Sequence, residues 1–146
     1  MASLKSTIAA LVVAMACTAP ALAHDGVHID GAYARFLPGA KSGAVFMVIE
    51  NHSTAEERLI SVTTDVAEKA ELHTSKIGAD GMAQMPLIDG GIALRGGESH
   101  VLERGGDHLM IMGLTRKVVS GDVITLTLTF EHAGVVVVEV PVDNAR

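Results

Sequence analysis

The sequence predicts a single all-β domain, an antiparallel sandwich or barrel, and three observations carry that expectation. From Val27 onward, short apolar or alternating segments are separated by turn residues at intervals of roughly eight to twelve. Helical periodicity is scarce over the same stretch. Apolar residues form 49% of the 146-residue chain while aromatics form only 3%, so a core must be built from Val, Leu, Ile, Ala and Met, and disorder is excluded.

The amino terminus comes first. Lys5 supplies a basic start, residues 8–17 an apolar stretch, and Ala21-Leu22-Ala23 a small-x-small cleavage site, so residues 1–23 read as a secretory signal and residues 24–146 as the mature domain. Two alternatives have less support. A buried helix would need a partner for a uniformly apolar segment, and lipid attachment at Cys17 would want Leu three residues earlier, where Ala14 stands. No apolar run reaches the roughly 20 residues of a membrane-spanning helix, so the mature chain is expected to be soluble, monomeric and periplasmic. Cys17 is the only cysteine, and its loss with the signal leaves neither a disulfide nor the thiolate a blue-copper centre needs. A net charge of −6 speaks against a nucleic-acid partner.

Within the domain, residues 44–50 read as a buried strand closed by Asn51-His52-Ser53, and residues 58–63 as another. A short helical turn is open at residues 66–70. Asp89-Gly90-Gly91, Arg95-Gly96-Gly97 and Arg104-Gly105-Gly106-Asp107 are turns framing strands at residues 92–94 and 100–102, and residues 108–112 form a further strand. The clearest strand is residues 123–130, where Ile124, Leu126, Leu128 and Phe130 alternate with Val123 and three Thr residues. A turn at residues 131–134 returns the chain through residues 135–140, and Pro141 ends that hairpin.

The chemistry concentrates in His and Met. On a strand, residues two apart share a face, so His108 and Met110 project side by side, with Met112 next in line. His73 and Met85, joined by a polar loop with a turn at Asp80-Gly81, can fold back to supply the other half. Two imidazoles and two thioethers suit monovalent copper, because thioether sulfur is soft, whereas zinc more usually recruits Cys or carboxylate. The competing interpretation is packing. Met fills core gaps, and it is the preferred assignment for Met47 and Met112, while His52, His100 and His132 sit at turns or strand ends as solvated histidines.

The segments Glu71-Leu72-His73-Thr74, Asp80-Gly81-Met82-Ala83-Gln84-Met85, Gly105-Gly106-Asp107-His108-Leu109-Met110-Ile111-Met112-Gly113-Leu114, Gly121-Asp122 and Leu126-Thr127-Leu128-Thr129-Phe130 form an ordered set. Ala32-Tyr33-Ala34-Arg35 and the following stretch to Ala44 precede them. In this set the chain resembles the PCu(A)C family of periplasmic copper chaperones over most of residues 27–140. The resemblance implies a cupredoxin-like Greek-key β-sandwich or barrel, and one Cu(I) ion held by His73, Met85, His108 and Met110. It also implies transfer toward the copper centres of cytochrome c oxidase, with an oxidase subunit or a Sco-type thiol protein as acceptor. The chain departs from the family in having 22 residues between Met85 and His108, one more than usual, which we place in the Asp89-Gly90-Gly91 turn. Arg104 stands where Pro is common and Ala83 where Met is common. The family's optional His/Met-rich tail has no counterpart in residues 142–146, so a single main site is expected.

Two rival functions remain open at the sequence level. Cleavage after Ala23 would expose His24, with His28 close behind, as an amino-terminal chelate for Cu(II), either a secondary site or the centre of a copper enzyme. A metal-free interaction sandwich would use the His and Met residues for packing. No nucleophile triad, phosphate loop or paired-carboxylate site supports a hydrolase, and the chain is expected to be a carrier, not an enzyme.

Overall fold

The computed structural model describes residues 26–146, so the expected signal sequence, Cys17 and His24 lie outside the described residues. Eleven strands follow in order: β1 (Val27–Arg35), β2 (Ser42–Asn51), β3 (Glu57–Thr64), β4 (Ala67–Thr74), β5 (Lys76–Ile77), β6 (Ala83–Gln84), β7 (Ile92–Leu94), β8 (Ser99–Leu102), β9 (Asp107–Leu114), β10 (Val123–Phe130) and β11 (Gly134–Pro141). Nine of them form one antiparallel sheet ordered β1-β2-β9-β4-β3-β10-β11, with β7 on β3 and β8 on β2. The two ends of that order meet where Ala34 bridges Val142 and Asp143 N–H donates to the Ala34 carbonyl, which nearly closes a barrel. The all-β class and cupredoxin-like architecture therefore stand.

Alternation places the core. Along β10, Ile124, Leu126, Leu128 and Phe130 are buried while the intervening residues face outward. Val45, Ile49, Leu59, Leu94, Leu109 and Ile111 join them inside. Met47, assigned to packing, is indeed core, with 2% of its surface exposed. The core is aliphatic, with Phe36 and Phe130 as its fully buried rings.

One element differs from expectation. Residues 66–70 contain no helical turn, because β4 begins at Ala67 and pairs with β9 through Lys69 opposite Met112 and Ala70 opposite Ile111. Ala, Glu and Lys favour a helix locally, but the backbone here finds its hydrogen bonds on a neighbouring strand, and that pairing outweighs the propensity. The Asp89-Gly90-Gly91 turn is as expected, and Gly91 is required there: its φ is +78°, and a side chain would run into the Leu59 carbonyl.

Candidate metal centre

The four proposed ligands come from β9, β4 and the segment that returns after the β5–β6 hairpin. On β9, Leu109 and Ile111 point into the core, so His108, Met110 and Met112 take the opposite face. On β4, Leu72 points inward and pairs with Leu109, which sets His73 directly opposite His108 and Glu71 opposite Met110. The two imidazoles face one another with ring centres 6.2 Å apart and planes 28° from parallel.

The chain then doubles back along the end of β4, beyond Ala70, that β3 leaves unpaired. Thr74 N–H donates to the Pro86 carbonyl and Ile88 N–H to the Leu72 carbonyl, so Met85 comes back over His73. This return leg covers the histidines: His108 is 5% exposed. A cavity of about 460 Å³ opens beside them, its wall including Met85, His108, Met110, Phe46, Leu37 and Arg104. His73 stands next to that wall.

Hydrogen bonds fix the protonation pattern of both rings. His73 Nδ1 lies 2.8 Å from the Met85 carbonyl and His108 Nδ1 lies 3.0 Å from the Gly106 carbonyl. A carbonyl can only accept, so each Nδ1 carries the proton; that leaves Nε2 as the nitrogen that can face a metal, unpaired in His108 and 3.4 Å from Glu71 Oε2 in His73. The Gly106 carbonyl also accepts from Ser75 N–H, tying the β8–β9 turn to the end of β4. His100 Nε2 meets Asp107 Oδ2 at 3.0 Å and steadies the same turn from the other side.

Sequence reasoning missed Glu71. Its Oε2 is 3.4 Å from His73 Nε2 and its Oε1 is 3.5 Å from Lys69 Nζ, so a carboxylate borders the site. The signal was available in the spacing, since Glu71 and His73 are two apart on a strand. Met82 is 67% exposed at the hairpin, and Met112 is half-buried between Ser42 and Lys69, one step further from the histidines. The candidate site thus offers two thioethers and two largely covered imidazoles on the outward side of the sheet, a donor set that suits a monovalent soft ion.

The described residues form a small, nearly closed antiparallel β-barrel with two His and two Met side chains brought to one part of its outer face. A family model described as "Putative lipoprotein LpqE-like" matches residues 27–142, and the chain belongs to that family, which is the PCu(A)C family. A curated relative, "Putative lipoprotein Lxx21020" of Leifsonia xyli subsp. xyli, is 28% identical over 120 residues, covering 82% of this chain and 71% of its own. Among solved structures, apo-DR1885 from Deinococcus radiodurans matches with a TM-score of 0.62 at 26% identity, over 100% of this chain and 99% of that one. Its CuI form matches with a TM-score of 0.56 at 27% identity, over 79% and 76%. The copper-bound PCuAC domain from PmoF2 shares the fold, with a TM-score of 0.66 at 21% identity over 81% of this chain and 92% of that one.

Proposed function

We propose that this protein is an exported copper chaperone that carries one Cu(I) ion on His73, Met85, His108 and Met110. The observation that carries the proposal is the facing pair of imidazoles, each with Nδ1 committed to a backbone carbonyl, beside a cavity wall that holds both thioethers. Relatives described as copper-bound and CuI-bound domains of the same fold support it.

The chemistry favours carriage over catalysis. Thioethers are neutral, do not titrate and cannot be trapped as disulfides, so the site stays usable in an oxidising compartment. Met85 is 53% exposed, which leaves one ligand accessible to an incoming thiolate that can displace thioethers stepwise. A cysteine-bearing acceptor fits this exchange. The family resemblance points to the copper centres of cytochrome c oxidase, reached directly or through a Sco-type protein. Export through residues 1–23 completes the proposal and gives a mature domain beginning at His24.

The test is an anaerobic titration of residues 24–146 with cuprous copper against a chromophoric chelator, repeated with His73→Ala and Met110→Ala. One equivalent held by the parent and lost by both folded variants is the expected result. Unchanged binding in both variants would overturn the four-ligand site.

A further inference from the structure

A second pair of histidines meets on the outer face of β1 and β2, at the end of β2 remote from the proposed Cu(I) site. His28 is the direct cross-strand partner of Glu50. Their neighbours Val27 and Ile49 are buried, so His28 and Glu50 project outward together. His52 follows two residues after Glu50, and its backbone N–H is held by the Gly26 carbonyl. Its Nε2 lies 2.9 Å from Glu50 Oε2, and its ring centre lies 6.0 Å from that of His28. Two imidazoles sharing an ion through bonds of about 2.0–2.1 Å keep their centres roughly 5–6 Å apart. No three His, Cys, Asp or Glu side chains among the described residues already converge in ligand geometry. This trio reaches it by side-chain rotation alone, since His28 is exposed and the His52 side chain is 64% exposed.

We infer that His28, Glu50 and His52 form a surface site for a divalent cation that takes imidazole and carboxylate ligands, Cu(II) foremost. Two nitrogens and one oxygen suit borderline ions, and among first-row divalent ions copper binds such sets most tightly. Calcium and magnesium want mostly oxygen. The trio has no thioether, so it lacks the soft donors that favour Cu(I). Met110 pairs with Ala44, and Phe46 lines the cavity beside His108, six and four positions before Glu50 on β2, which separates the two sites by roughly 13–20 Å at strand rise. The site uses no residue before Gly26 and does not depend on the Cu(I) proposal.

The experiment is an aerobic titration of residues 24–146 with cupric ion against glycine as competing chelator, with electron paramagnetic resonance on the one-equivalent complex. His28→Ala and His52→Ala are each expected to weaken Cu(II) binding roughly tenfold or more and to remove nitrogen couplings. His24→Ala should leave affinity and spectrum intact. Cu(I) titration of the same variants should match the parent, so failure of this site and failure of the Cu(I) site give separate readouts. Unchanged Cu(II) affinity in His28→Ala and His52→Ala would overturn the inference. So would loss of binding only in His24→Ala, which would assign the ion to the amino terminus, or only in His73→Ala.

Discussion

Replacing Met110 with Leu and, separately, Leu109 with Ala separates a metal-binding role from a packing role, because the two residues leave β9 on opposite faces. Leu109 is completely buried and pairs with Leu72, so Leu109→Ala removes core contacts and opens a cavity worth about 2–5 kcal/mol of stability. Met110 is half-buried at the cavity wall, and Leu nearly conserves its volume, so Met110→Leu should cost less than about 1.5 kcal/mol. Binding should follow the reverse order. Leu has no sulfur to offer, and losing a direct ligand should exceed the roughly 10–100-fold that loss of an outer-shell partner costs. In energy that is more than about 1.4–2.8 kcal/mol, at 1.4 kcal/mol per tenfold. Urea denaturation without metal and anaerobic Cu(I) competition measure the two quantities on the same preparations. If Met110→Leu keeps the parent's Cu(I) affinity, Met110 is packing and the four-ligand site fails. If Leu109→Ala is the less destabilised of the two, the assignment of faces on β9 is wrong.

Other outcomes follow from the same coordinates. Burial alone would raise the pKa of Glu57, but backbone N–H bonds from His132, Arg58 and Ala133, together with the His132 charge, outweigh it and hold the carboxyl below its usual 4.5. The native state therefore favours the carboxylate. That stability is full above pH 4.5 and is lost as pH falls through the lower native value, so Glu57→Gln should flatten the acid limb of a pH–stability curve and cost about 1–3 kcal/mol at neutral pH. Cu(I) at about one hundred times its dissociation constant should add about 2.7 kcal/mol to the stability of the parent, and a chelator should remove it. Thermal melts of His108→Ala should show no such gain. Mass spectrometry of the exported protein should find an unmodified chain beginning at His24, and a lipidated chain beginning at Cys17 would replace the soluble carrier with an anchored one.

Fold class was legible because alternation is a local property. Residues 123–130, 92–94 and 100–102 show the expected strand pattern in sequence and sit in β10, β7 and β8. β4 was harder. Its start, Ala67-Glu68-Lys69-Ala70, carries helix formers, and only pairing with β9, some forty residues away, makes it a strand. Spacing could place His108 beside Met110 on a strand, but not His73 opposite His108, because register across non-adjacent strands is written in no single segment. The His28–His52 meeting depends on the pairing register of β1 with β2, which alternation within either strand does not give. His52, expected as a solvated turn histidine, is indeed exposed, yet that register brings His28 beside it.

The geometry of the proposed metal centre follows from core packing. Leu72 opposite Leu109 and Ala70 opposite Ile111 are the inward pairs of β4 and β9, and each fixes what stands outward one residue away. A slip of one residue in either strand would drive its own histidine into the aliphatic core, where the polar atoms would cost several kcal/mol to desolvate. The hydrophobic pattern therefore excludes one-residue slips and keeps both imidazoles on the outward face. The return segment supplies what the sheet cannot. Hydrogen bonds from Thr74 to Pro86 and from Ile88 to Leu72 anchor the segment just after Met85, whose carbonyl meets His73 Nδ1 while the residue stays exposed. In the proposed site one residue then performs two tasks: its backbone orients the His73 ring, and its exposed thioether would be the ligand best placed to leave first. Donor position is set by the rigid strands and donor exchange by the loop, a division that suits an ion meant to be passed on.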